Sequence, residues 1–79
     1  MNQKFFVVDS QQLWVDETIK VLHSRYPQAD ILAATNAVDF LNQLSTYKPD
    51  LVVMDISIAE KNGEIPLVNT GMQLLKKIM

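Results

Sequence analysis

Three short apolar runs alternate along the chain with segments whose apolar residues recur every three or four positions. Lys4-Phe5-Phe6-Val7-Val8 is rich in aromatic and β-branched residues and stops at Asp9-Ser10, the pattern of a strand buried on both faces. From Gln11 to about Arg25, Val15, Thr18, Ile19, Leu22 and Tyr26 recur at helical spacing, with Asp16, Glu17, Lys20 and Ser24 between them. Ser10 is placed to cap this helix, and Pro27 opposes its continuation.

Ile31 to Thr35 is a second apolar run, after which Thr35 or Asn36 can cap a helix carrying Val38, Phe40, Leu41 and Leu44. Lys48-Pro49 punctuates the chain before Leu51-Val52-Val53-Met54, an unbroken apolar run that ends, like the first, in an acid, Asp55. From Ile56 to Thr70 periodicity is lost and Glu60, Lys61, Asn62, Gly63, Glu64, Pro66 and Asn69 accumulate, predicting a long exposed loop with a turn at Gly63. A last helix is predicted from near Gly71, with Met72, Leu74, Leu75 and Ile78 on its apolar side and Lys76-Lys77 near its negative end.

The predicted elements are strands over about 4–9, 30–35 and 50–55, helices over about 11–25, 36–46 and 70–79, and a loop over 56–70. This β-α-β-α-β-α order implies an α/β fold, a parallel sheet with right-handed crossovers and helices on both faces. In such sheets the carboxyl ends of the strands form the binding crevice. Asp9 and Asp55, 46 positions apart, would meet there.

Composition narrows the classes. Seventy-nine residues hold at most one small domain, and 48% apolar with 20% charged residues matches an ordinary globular chain. A net charge of -2 removes the general attraction to phosphate backbones, so direct nucleic-acid binding by this segment is not expected. The chain has no cysteine, which excludes a thiol nucleophile, a thiolate metal site and a disulfide framework. The apolar run after Lys4 is too short for a signal-peptide core or a membrane span, and the expected location is the cytoplasm.

Two carboxylates at neighbouring strand ends can hold a hard cation such as Mg²⁺, or one of them can attack phosphorus while a metal offsets charge. Aspartate also follows strands simply because it favours turns and caps, and for either residue alone that is the stronger reading. His23 has no second ligand at metal spacing and is assigned to surface or packing. Trp14, beside Val15, is assigned to packing against the sheet and Met54 to the core. No Gly-rich phosphate loop, Ser-His-Asp set or His-Glu helix motif occurs.

Phe5-Phe6-Val7-Val8-Asp9 opening a helix, then Lys48-Pro49-Asp50-Leu51-Val52-Val53-Met54-Asp55, resemble the first and third strands of response-regulator receiver domains of two-component signalling. Gly71 to Ile78 resembles the start of that family's third helix. The resemblance covers nearly the whole chain. It implies the first three βα units of a flavodoxin-like (βα)₅ sheet, with Asp55 accepting a phosphoryl group from a histidine kinase or phosphotransfer protein. It further implies Mg²⁺ held by Asp55, the backbone carbonyl of Ser57 and Asp9, the last through water. On this reading the chain is a signalling module rather than an enzyme, its only chemistry its own phosphorylation.

Three departures qualify the resemblance. Ser10 stands where the family has a second acid, which implies weak or absent metal binding. Sixteen positions separate Asp55 from Gly71, longer than the family's spacing, and the extra loop is expected to be a mobile surface segment rather than a lid or partner contact. The family's switch Ser or Thr and its phosphate-contacting Lys belong to fourth and fifth strands that these 79 residues do not include, and Lys76 and Lys77 are not substitutes for them. The expectation is a fragment whose output domain lies beyond residue 79, or a swapped or homodimeric assembly through the exposed sheet edge. The alternatives are a pseudo-receiver, a protein-interaction module working without phosphorylation, and a metal-dependent phosphatase with Asp55 as nucleophile. The phosphatase fits poorly, because Ser57 stands where its general acid would be.

Overall fold

Phe5 to Val8 has no polar side chain to offer solvent, and the chain answers by placing this strand in the middle. In the computed structural model, which describes residues 3–55 and 57–78, β1 (Lys4–Val8) pairs in parallel with β2 (Asp30–Ala34) along one edge and with β3 (Leu51–Met54) along the other, in the order β2-β1-β3. The registers are Phe5 to Ile31 and Phe5 to Leu51, continuing to Val8 with Ala34 and Val8 with Met54. Helices α1 (Gln12–Arg25), α2 (Ala37–Tyr47) and α3 (Val68–Ile78) follow the three strands in turn. The result is an α/β fold arranged as the first βα units of a flavodoxin-like sheet.

The two faces of β1 feed different layers, because successive side chains on a strand alternate. Phe6 and Val8 join Ala34, Ala37, Phe40, Ile58 and Leu74 in one core, which places α2 and α3 over that face. Phe6 meets Phe40 edge-to-face at 4.7 Å and Tyr47 at 5.9 Å, an arrangement that suits the ring quadrupoles. On the other face Phe5 and Val7 are buried, Phe5 lies edge-to-face with Tyr26 at 5.2 Å, and Val15 of α1 is buried. Trp14 differs from its assignment: it remains 53% exposed, because Val15 takes the inward position of that turn. Met54 is partly buried against the core.

Local signals explain most boundaries. Asn36 caps α2, its side-chain oxygen accepting from the Asp39 backbone N–H at 2.9 Å while its amide donates to the Asp39 carboxylate at 2.9 Å. α2 ends at Lys48, whose φ of 46° lies in the left-handed region and turns the chain toward Pro49. α3 begins at Val68, earlier than the predicted Thr70. Gly63, at φ 89°, makes the turn expected of it. Ile56, the first residue of the predicted loop, and Met79, the last of the predicted helix, lie outside the described residues, as does the side chain of Ile78.

At the opposite end of the strands from the candidate site, the Asp50 carboxylate accepts from the Lys4 N–H at 2.9 Å, and the Tyr47 hydroxyl donates to the Asp30 carbonyl at 2.8 Å. Burial first, then the negative charge of Asp30 with a smaller push from Asp50, raises the Tyr47 hydroxyl above its usual 10.0. A raised pKa means that the neutral phenol is favoured in the folded state, so its contribution is complete below pH 10 and is lost as pH rises through the folded value. Urea midpoints measured from pH 8 upward should therefore fall above pH 10 in the wild type. Tyr47→Phe should start lower by the worth of one hydrogen bond, about 1 kcal/mol, and fall less steeply.

Candidate functional site

The carboxyl ends of β1 and β3 are adjacent, and each is followed at once by an aspartate. The Asp9 N–H donates to the Ala34 carbonyl at 3.2 Å and the Asp55 N–H donates to the Val8 carbonyl at 2.9 Å. Both acids therefore continue the sheet's hydrogen bonding by one residue, at neighbouring strand ends, where a parallel sheet opens its crevice. Asp9 is half-buried, and its carboxylate accepts from the Gln11 N–H at 3.0 Å, while Asp55 is exposed.

Ser10 does not cap α1 as its position suggested. The capping residue is Gln11, which makes no side-chain capping bond, and the Asp9 carboxylate takes the Gln11 N–H instead. The freed Ser10 hydroxyl crosses to the loop after β3 and donates to the Ser57 carbonyl at 3.2 Å. Asp9, Ser10, Asp55 and Ser57 thus come together at one end of the sheet. His23 lies in the last turn of α1, and Lys76 and Lys77 lie in the last turn of α3.

The loop after β3 is anchored at both ends, against the expectation of a mobile surface segment. Ile58 is fully buried in the core and Ala59 is buried beside it. Ile58 and Leu67 exchange backbone hydrogen bonds at 3.2 and 3.1 Å as an antiparallel bridge. The carbonyls of Ala59 and Glu60 accept from Ala37 N–H at 2.8 Å and Val38 N–H at 3.0 Å, two donors in the first turn of α2 that have no partner within the helix. The tip from Glu60 to Asn69 is exposed, as predicted, with Ile65 at 80%. The missed signal was the apolar pair Ile58-Ala59 directly ahead of the polar run from Glu60 to Glu64.

Two carboxylates and one carbonyl form a hard oxygen set, which suits Mg²⁺ because that ion is commonly held by one or two carboxylates and keeps several waters. The Ser57 carbonyl has a second lone pair beyond the one facing Ser10, so the hydroxyl does not close it to a cation. Among the described residues no third acid or imidazole converges on the pair. Beside Asp55, Met54, Gly71, Met72 and Leu75 line an open, mainly apolar groove of about 190 Å³. It borders β3, which among the described residues pairs only through its β1 edge.

No helix among the described residues is long and apolar enough to cross a membrane. The anchored loop can be checked by truncation: Ile58→Ala should cost about 2–5 kcal/mol in urea unfolding. Ile65→Ala, at the exposed tip, should stay within about 0.5 kcal/mol of wild type. Equal effects would mean that the loop is not docked.

No family model matches the chain. Over 61 residues, 76% of its length, it is 38% identical to the sensory transduction protein LytT of Bacillus anthracis. Over 76 residues, 95% of its length, it is 30% identical to the uncharacterized protein y4jS of Sinorhizobium fredii. The chain spans 24% and 18%, respectively, of these curated relatives. The α/β sheet with two aspartates at adjacent strand ends thus belongs to a chain similar to part of a sensory transduction protein.

Proposed function

We propose that this chain is the opening portion of a cytoplasmic response-regulator receiver domain and that Asp55 is its phosphoacceptor. The observation that carries the reading is the exposed Asp55 carboxylate at the carboxyl end of β3, one strand from Asp9 and beside an open groove. Similarity to a sensory transduction protein supports the signalling part. The phosphodonor would be a histidine kinase or phosphotransfer protein, and an output domain and the remaining receiver strands would lie in the rest of a longer protein.

In the transfer, an Asp55 carboxylate oxygen bonds to phosphorus as the bond from phosphorus to the donor imidazole breaks, the electron pair leaving with the nitrogen. Asp9, Asp55 and the Ser57 carbonyl would hold Mg²⁺, which when bound offsets charge on the transferring phosphoryl group. Asp9 keeps its carboxylate oriented through the Gln11 N–H. Ser10 brings a neutral hydroxyl where the family has a carboxylate, so the ion would be held less tightly.

The Ser10 to Ser57 bond also favours a second reading, a pseudo-receiver that binds a partner protein without being phosphorylated. Intact mass of the full-length protein after incubation with a small phosphodonor and Mg²⁺ separates the two. A single phosphoryl adduct, lost in Asp55→Asn, is expected for the phosphoacceptor. No adduct on folded full-length protein would overturn the phosphoacceptor and favour the pseudo-receiver.

A further inference from the structure

Residues 57–60 touch three elements that are distant in sequence. Ser57 accepts from the Ser10 hydroxyl in the turn between β1 and α1. Ile58 fills the core beneath Phe6 and Phe40. The Ala59 and Glu60 carbonyls receive the first two N–H groups of α2. Of these attachments, the Ser10 bond is the one nearest Asp55 in sequence, and among the hydrogen bonds it is the one donated by a side chain.

The direction of that bond decides what it can do without a cation. A carboxylate at position 10 could only accept, so it would repel the Ser57 carbonyl unless a cation lay between them. A hydroxyl donates, and joins the β1 turn directly to the segment after β3. We infer that Ser10 is a positioning residue, a side-chain latch that holds residues 57–60 against the β1 turn and the start of α2 without any cation. This deepens the reading of Asp55 as the site's reactive group and rests on it for the site's purpose, because the latch fixes the carbonyl two residues after Asp55. It also rests on its own hydrogen bond, which can be tested without phosphorylation.

Amide hydrogen exchange provides the test, in the full-length protein with EDTA present. The reporters are the N–H groups of Ile58, Leu67, Ala37 and Val38, each bonded to or across the segment, and the reference is Val7 in the central strand. In Ser10→Ala the reporters should exchange roughly 2- to 12-fold faster, the worth of one hydrogen bond, with Val7 unchanged. Ser10→Thr, which keeps the hydroxyl, should hold wild-type rates. Unchanged reporters in Ser10→Ala, an equal rise at Val7, or protection that appears only when Mg²⁺ replaces EDTA would each overturn the latch. Intact mass of the same samples after phosphodonor treatment reports on Asp55 separately, so a failed adduct with intact reporter shifts rejects the phosphoacceptor and leaves the latch standing.

Discussion

A strand hydrogen-bonded along both edges and covered on both faces exposes neither its backbone nor its side chains, and β1 is held to that condition. Phe5 to Val8 are all buried, and their backbone groups are divided between β2 and β3. In a chain of 79 residues the hydrophobic return from such a strand is a large part of what offsets the entropy of folding. Phe6 shows the dependence most directly, because it contacts Phe40 and Tyr47 of α2 and belongs to the cluster that also takes in Ile58 and Leu74. The order β2-β1-β3 follows from the same condition: each crossover helix must return the chain to one side or the other of the central strand.

The site is a consequence of where that strand stops. A polar residue is first tolerated after Val8, where the crevice opens to solvent, and the same holds after Met54 on the neighbouring strand. Asp9 and Asp55 are therefore brought together by register rather than by any direct bond between them. What surrounds them is less symmetrical. Asp9 is committed to the Gln11 N–H, whereas Asp55 faces solvent at the head of a groove lined by Met54, Met72 and Leu75. The proposed division of roles, with Asp9 orienting and Asp55 reacting, rests on that inequality.

The loop after β3 adds a second constraint. Its tip is polar and exposed, yet its base carries Ile58 into the core and supplies two carbonyls to the start of α2. The first turn of α2 thus has two sources of satisfaction, its own Asn36 side chain and the loop backbone. A segment bound in this way links the end of β3 to a helix on one face and to the β1 turn through Ser10.

Much of this was legible in the chain itself. Apolar runs ending in aspartate specify parallel strands, helical periodicity specifies α1 and α2, and Asn36 was among the two caps proposed, because these signals act within a few residues of one another. Of the two aspartate-terminated strands only β1 is buried, while β3 lies at the sheet edge with Leu51 46% exposed. The pairing of Asp9 with Asp55 followed from the α/β order alone. Three features depended on tertiary structure. Trp14 was left outward because Val15 filled the inward position, a competition that local spacing does not resolve. Ile58 and Ala59 were drawn from a polar stretch into the core because space existed beside Phe6 and Phe40. Ser10 gave up the helix cap for the Ser57 carbonyl, 47 positions away, since a hydroxyl bonds whichever acceptor the fold brings nearest. Sequence determines what a residue can bond or bury locally; only the folded chain determines which distant partner arrives first.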